Sequence, residues 1–425
     1  MSSSAAPPNR NDLPLDRARM ETYRARAPRL CETSVTVESL EALLSGQGSA
    51  LLERLSREEP AVADSIRLGS ALRTQFAPEL VAAALTQHEL RRAAESKFSR
   101  AGRMLFTRPG LEQASAELVS RYRAPRFAGL GRLADLCTGI GGDLISIAGQ
   151  GETLAVDLDE VHLRMAVLNA QVYGVTAGVD AVRADVRSVD LAGIDGVFVD
   201  PARRSGGRRL RTGQSEPPLG WCLGLAASVP AVGVKLAPGL DRDAVPPGWE
   251  LEFLADGRDL KEALAWSPAL ATAARRATIL PGGHTLTPSD GAPVAVRPPG
   301  GFLLDPNPAV TRAGLVEELA RATGCWKIDK QIAFLSADHP VHTPFARTLR
   351  VIESAPWKEK QLAARLRALD IGAVDIRRRG LAGDVVALHS RLKLRGTRRA
   401  TLVMTRTLDQ PWSLVCVDTD QPVLG

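Results

Sequence analysis

The stretch Asp135-Leu136-Cys137-Thr138-Gly139-Ile140-Gly141-Gly142-Asp143 constrains this chain more than any other. Its glycines let the backbone turn tightly and let another group lie against bare main chain. It follows an apolar run at 133–137 and precedes one at 145–148, so it reads as a strand-to-helix turn whose helix amides face a ligand. The alternation continues with a strand at 153–157, a helix at 163–173, and strands at 178–183, 196–200 and 231–236. Short apolar runs interleaved with helical ones predict a doubly wound, mainly parallel α/β sheet. A run at 249–255, an Asp256-Gly257 turn and a run at 260–266 predict a closing antiparallel hairpin.

A chain of 425 residues, 44% hydrophobic and 24% charged, has room for several cores. Residues 1–15 are rich in Ser, Pro and Asn and read as a disordered tail. Residues 16–128 read as an N-terminal helical domain: Val37, Leu40, Leu43 and Leu44, then Leu80, Val81, Ala84 and Leu85, recur at helical spacing. The α/β domain is assigned to 129–345. Near its end, Asp305-Pro306-Asn307-Pro308 signals the start of a helix at 309–322. Residues 346–425 read as a small α+β domain, with a helix at 359–369 and strand-like runs at 373–376, 385–389 and 401–405. Between 345 and 410, 15 Lys/Arg face 6 Asp/Glu, whereas the whole chain is only +6. The basicity therefore belongs to the C-terminal segment and points to a polyanionic partner.

No apolar run reaches the roughly 20 residues a membrane helix needs, and the N-terminus has no signal-peptide pattern, so a soluble, cytoplasmic protein without a membrane partner is expected. Cys31, Cys137, Cys222, Cys325 and Cys416 are odd in number and form no CxxC pair, which predicts reduced thiols and no metal site.

Asp157 comes 22 residues after Asp135 and closes the next strand, where a carboxylate can take both ribose hydroxyls of a nucleoside; Asp159 competes for that role. The dinucleotide pattern G-x-G-x-x-G fails at its third glycine, where Leu144 stands. S-adenosylmethionine carries no phosphate and needs no third close approach, and an acid before the glycines suits its cationic methionine end. The loop is therefore read as a site for S-adenosylmethionine, with NAD as the alternative, held by Asp135, Cys137, Gly139, Gly141, Gly142 and Asp157. Asp185, after the third strand, is placed to accept the adenine amino group. Residues 106–108 and 110–114 are read as a cap on the methionine end.

The fourth strand ends in Asp200-Pro201-Ala202-Arg203, on the sheet edge where open α/β folds bind ligands. Asp200 and the Pro201 carbonyl can both accept from an exocyclic amine, aligning its lone pair for in-line methyl transfer. Arg203, Arg204, Arg208, Arg209 and Arg211 follow, with Arg204, Arg208 and Arg209 as candidate phosphate donors. Lys235 ends the fifth strand without an assigned role, and the six scattered histidines are read as structural.

The loop, the segment Leu168-Asn169-Ala170-Gln171-Val172-Tyr173-Gly174-Val175 and the Asp-Pro edge resemble the RNA cap guanine-N2 (trimethylguanosine synthase-like) methyltransferases over about 130–240. The whole chain is similar to bacterial class I S-adenosylmethionine-dependent methyltransferases with a C-terminal THUMP-like domain. Residues 106–114 and 200–204, the stretch GGFLLDPNPAVTRAG at 300–314 and the basic tail carry that likeness. The resemblance implies a Rossmann-like methyltransferase sheet with an antiparallel final hairpin and a partner that is RNA (rRNA or tRNA), methylated on an exocyclic base nitrogen. The family's tetrad is Ser, Asn or Asp, then Pro, Pro and an aromatic residue; here Ala202 and Arg203 take the last two places, and Arg203 offers a guanidinium plane for stacking. The alternatives are a protein or small-molecule substrate, or a non-catalytic RNA-binding scaffold. Oligomeric state, target RNA and target atom have no sequence signature.

Overall fold

The computed structural model describes residues 35–58, 65–202, 204–205, 208–209 and 215–419; the tail expected at 1–15 lies outside them. The described chain opens with the helices Val37–Leu44, Gly46–Glu58, Ser65–Leu72 and Pro78–Ala94. Thr36 starts the first by accepting from the Ser39 amide, and Ser39 answers through its hydroxyl. Leu43, Leu51, Leu55, Leu72 and Val81 meet in one apolar cluster, while Leu44 points outward, 46% exposed. The short helices Arg108–Gln113 and Glu117–Arg123 then lead into the first sheet.

That sheet contains β1 (Arg132–Leu136), β2 (Glu152–Asp157), β3 (Val179–Arg183) and β4 (Gly196–Val199). Arg204–Ser205 (β5) and Arg208–Arg209 (β6) form a separate two-strand ribbon. The sheet continues with β7 (Ala231–Leu236), β8 (Glu250–Asp256), β9 (Asp259–Trp266), β10 (Arg275–Leu280) and β11 (His284–Leu286). Its order is β11-β10-β8-β9-β7-β4-β1-β2-β3. The hairpin folds back so that β9 lies antiparallel between β7 and β8. This restores the common direction to β8, and β10 adds parallel to it. The expected closing hairpin is thus present, and β10 and β11 extend the sheet beyond it.

The second sheet contains β12 (Phe302–Pro306), β13 (Trp326–Lys327), β14 (Leu335–Ala337), β15 (Ala346–Pro356), β16 (Ile371–Arg378), β17 (Arg398–Thr407) and β18 (Gln410–Asp418). Its order is β13-β14-β12-β15-β18-β17-β16, antiparallel except for the pair β16–β17. The boundary expected at 345/346 falls inside this sheet, because β12 pairs with β15 across it. Leu304 of β12 and Leu335 of β14 also join the apolar core of the first sheet, so the two sheets share packing.

Two local expectations are corrected. The helix expected at 309–322 is two, Pro308–Ala313 and Val316–Thr323, because Gly314 takes a left-handed φ of 69° and ends the first. The strand-like run at 385–389 is the start of the helix Val385–Leu392. Asp384 caps it by accepting from the amides of Val386 and Ala387, and Leu388 and Leu392, four apart, turn into the core. A capping carboxylate and an i, i+4 apolar pair outweigh the β-branched Val385-Val386 pair.

Among the described residues, no helix is long and apolar enough to cross a membrane, and no group of three or more His, Cys, Asp or Glu is placed to hold a metal ion.

Candidate active site

The parallel strands β1, β2, β4 and β7 bring the expected residues to one sheet edge. β1 passes directly into the glycine loop, which is knotted to its neighbour strand through Thr138. The Thr138 hydroxyl donates to the Asp135 carbonyl at 2.7 Å and accepts from the Val156 amide at 3.1 Å. Cys137, Gly139 and Gly141 all take left-handed φ values, 61°, 56° and 85°. A side chain at Gly141 would meet Ala166 Cα at 2.9 Å, so the loop must lie flat on the helix Glu160–Tyr173. At Gly139 an added Cβ would meet nothing within 4 Å: this is the open face of the loop.

Asp157 closes β2 and accepts from the Gly139 amide at 2.7 Å, with its other oxygen taking the Asp159 amide at 2.9 Å. Asp159 is engaged elsewhere, capping the helix Glu160–Tyr173 through Val161 and His162. Asp185 is half-buried after β3, and its carboxylate pairs with Arg187 at 2.7 Å. Hydrogen bonds from Arg187 hold Asp185 below the usual carboxylate range.

Residues 106–114 lie against this loop. Thr107 accepts from the Gly110 amide at 2.9 Å and touches His162 Nε2 at 2.7 Å, and a Cβ on Gly110 would strike Ile140 at 2.5 Å. Asn169, part of the motif at 169–175, fixes the arrangement from behind. Its buried amide donates to the carbonyls of Leu105 and Ile140 and accepts from the Leu105 amide, all within 3.0 Å. Such a fully satisfied buried amide costs about 1–3 kcal/mol to disrupt.

Asp200 follows β4, beside the loop, with its amide bonded to the Leu136 carbonyl. Its carboxylate is not isolated: Lys235 Nζ, at the end of β7, lies 2.5 Å from Oδ2. Lys235 also donates to the Ser115 hydroxyl at 3.0 Å, which donates to Asp143 at 2.9 Å. Asp143 is bound by Arg123, which reaches Glu262 at 2.8 Å and stacks on Phe198, 4.6 Å from its ring centre. This buried chain runs from the sheet edge into the sheet interior. Burial alone would lower the Lys235 ammonium, but Asp200, Glu262 and Asp143 overcome it and hold the group above its ordinary value. Lys235, Ser115, Asp143, Arg123 and Glu262 went unassigned in the sequence; only Lys235, ending a strand on the same edge as Asp200, carried a signal.

Asp135 stands apart. It is 1% exposed, and neither carboxylate oxygen has a hydrogen-bond partner among the described residues. Burial, reinforced by Asp143 and Asp200, pushes it well above the usual carboxylate range. A buried, unpartnered carboxylate beside the open face of Gly139 fits a ligand that brings its own cation. S-adenosylmethionine, with an ammonium and a sulfonium, is such a ligand. Cys137 contributes its strained backbone to the loop, and burial pushes its thiol up, away from thiolate chemistry.

Arg203 lies outside the described residues. Arg204, Arg208 and Arg209 lie on the β5–β6 ribbon, whose base is closed where Ala202 and Glu216 exchange amide–carbonyl bonds at 2.8 and 3.0 Å.

The strand order and the loop define a class I S-adenosylmethionine-dependent methyltransferase fold. A putative methyltransferase from Porphyromonas gingivalis shares that fold, with a TM-score of 0.70 and 22% identity, covering 88% of this chain and 98% of that one. Residues 130–214 match the RNA cap guanine-N2 methyltransferase family, residues 346–417 the THUMP domain-like family, and residues 36–94 a domain of unknown function. An uncharacterized S-adenosylmethionine-dependent methyltransferase of Mycobacterium tuberculosis, matched in two strains, is 39% identical over 310 residues, 71% of this chain and 84% of that protein. The chain belongs to this family: it is an S-adenosylmethionine-dependent methyltransferase with a THUMP-like C-terminal domain.

Proposed function

We propose that this methyltransferase modifies RNA, rRNA or tRNA, at an exocyclic base nitrogen. The observation that carries the reading is the Asp200–Lys235 pair beside the cofactor loop: it presents a positioned carboxylate, followed by a proline carbonyl, at the reactive edge. Bound S-adenosylmethionine supplies an electrophilic methyl on its sulfonium sulfur. In this reading Asp157 takes the ribose hydroxyls, Asp135 faces the cationic methionine end, Gly139, Gly141, Gly142 and Cys137 form the floor, and Asp185 takes the adenine amine.

Lys235 engages Oδ2 of Asp200, so Oδ1 and the Pro201 carbonyl accept the two amine hydrogens of the target base. The lone pair then lies in line with the methyl. The proton shed by the methylated nitrogen passes to Asp200 or to water. Arg203 stacks on the base, and Arg204, Arg208 and Arg209 grip neighbouring phosphates. The domains follow as a helical region at 16–128, a methyltransferase domain whose sheet ends with β11, and an RNA-holding part built on the seven-stranded sheet, in which β12–β14 join the basic segment 346–425. Support for RNA comes from the +9 charge of 345–410 and from the RNA cap guanine-N2 methyltransferase and THUMP-like family matches.

The test is transfer of tritiated methyl from S-adenosylmethionine into unmodified rRNA and tRNA transcripts, with cofactor affinity read by calorimetry. Asp200→Ala is expected to abolish transfer with cofactor affinity nearly intact, and Asp157→Ala to weaken cofactor binding. Label entering only protein or small-molecule fractions would replace RNA by the second substrate class. Unchanged cofactor affinity in Asp157→Ala would remove the ribose assignment.

A further inference from the structure

The stretch 300–314 carries two polar residues, Asp305 and Asn307, that the methyl-transfer site does not use. Both are buried, 7% and 1% exposed, and both reach the Gly257-Arg258 turn between β8 and β9. Asn307 donates to the Gly257 carbonyl at 2.7 Å while capping the helix Pro308–Ala313. Asp305 binds Arg258 twice, through its carboxylate at 2.7 Å and its carbonyl at 3.1 Å. Its other carboxylate oxygen lies 3.1 Å from Arg379, beyond the end of β16. The motif thus clamps a turn of the first sheet against the second.

At that seam a cavity of about 320 Å³ opens, lined by Arg258, His284, Asn307, Pro344 and Arg347 among others. Its charge is unbalanced. Burial lowers the Arg258 guanidinium from its ordinary value, Asp305 opposes the shift, and the positive charges of Arg377, Arg347 and Arg379 reinforce it. The carboxylates facing this group are Asp305 and Asp418, the latter pairing with Arg347 at 2.6 Å; nearby Asp256 and Asp259 face Lys261. Two guanidiniums, Arg258 and Arg347, line the cavity, and Arg377 and Arg379 add positive charge close by, against two carboxylates; the site has room for an anion, and planar guanidinium forks match phosphate geometry.

Location decides which anion. β8 runs parallel to β4, so its terminal turn emerges on the same edge as Asp200. From β4 the order runs β7, β9, β8, three strand spacings or about 14 Å across the sheet, and the register sets the turn five residues, about 16 Å, beyond the level of Asp200, so the two lie roughly 20 Å apart. A polynucleotide with its base at Asp200 reaches that distance within a few nucleotides.

We propose that this seam is a phosphate-binding site for the RNA backbone, with Arg258, Arg347 and Arg377 as donors and Asp305 and Asn307 holding the 257–258 turn in place. The proposal rests on the RNA reading of the active site.

The experiment is binding of a fluorescein-labelled, single-stranded RNA of mixed sequence to the full chain, followed by anisotropy across a salt titration. Each phosphate that the protein no longer grips lowers the log–log salt slope by about 0.7. Arg258→Gln with Arg347→Gln is expected to lower it by about 1.4 and to weaken binding about tenfold at low salt, with unchanged affinity for S-adenosylmethionine. Should that variant fail to fold, seen as an absence of cofactor binding, the exposed Arg377→Glu decides alone and is expected to move the slope in the same direction. Arg73→Glu, the same charge change on the N-terminal helical region, is expected to leave the slope as it is. RNA bound with the wild-type slope by the seam variants overturns the site and leaves the RNA reading standing. Failure of the wild-type chain to bind RNA removes the RNA reading, and the seam proposal with it.

Discussion

In the nine-stranded region a set of charge-bearing side chains lies inside: Arg123, Lys235, Asp143, Glu250 and Glu262 are all buried, linked in chains of opposite charge. In the part of the seven-stranded sheet from β15 onward, with its two helices, the corresponding set lies outside. Arg367, Arg377, Arg378, Arg391, Lys393 and Arg399 are exposed, and the interior behind them is apolar, built from residues such as Leu362, Leu402, Met404 and Val415. A buried charge needs its partner, because desolvation is repaid only by a close counter-charge. A surface charge needs none and stays available to another molecule. The first region pairs its charges with one another in the interior, and the second leaves them in solvent.

The contrast is sharpest at Arg123. Arg123→Ala leaves Asp143 and Glu262 buried without their cation, and is expected to cost about 3–5 kcal/mol. Urea unfolding measures it; a loss under about 1 kcal/mol would mean that the chain of charges is not what holds this sheet.

Glu250 gives the next largest effect, through pH. It is fully buried, bound by Arg126 at 2.9 Å, by Arg276 at 2.6 Å and by the Thr272 amide at 2.7 Å. Although burial opposes them, these bonds pull its pKa down to about 2 from an ordinary 4.5. A depressed carboxylate contributes stability that is complete above its unfolded pKa and is lost as pH falls. The contribution, on the order of 3 kcal/mol, should disappear between about pH 4.5 and pH 2. Unfolding free energies at pH 5 and pH 3 should show a smaller acid loss in Glu250→Gln than in wild type; equal losses would refute the assignment.

In the second region the expected effects are local and small. Asp384→Ala removes the cap of the helix Val385–Leu392 and should cost about 1 kcal/mol. Arg391→Ala breaks an exposed pair with Glu359, 2.7 Å long, and should change stability by less than about 0.5 kcal/mol. A larger thermal shift for Arg391→Ala than for Asp384→Ala would show that surface charge stabilises this sheet after all.

The legible parts were those written locally. β7 coincides with the expected run at 231–236, and β1, β2, β3, β8 and β9 fall within one residue of theirs at both ends, because apolar period and turn residues act over a few positions. The glycine loop was legible for the same reason: its backbone geometry demands glycine where it occurs. The run at 385–389 was misread because a β-branched pair gives a strand signal that the preceding cap overrides.

The sequence by itself therefore determined the methyltransferase sheet, the tight glycine loop after its first strand, the position of Asp200 at the end of β4 and the basic character of the C-terminal region. Tertiary structure alone decided which charges meet. Arg123 and Glu262 are 139 residues apart, Lys235 and Ser115 are 120 apart, and no period or motif links them. It also drew β12–β14 into the second sheet and set Asp305 against Arg258, 47 residues away. Propensity is a property of neighbours in the chain, whereas the pairing of buried charges is fixed only when folding excludes water and leaves each group the partner that packing provides.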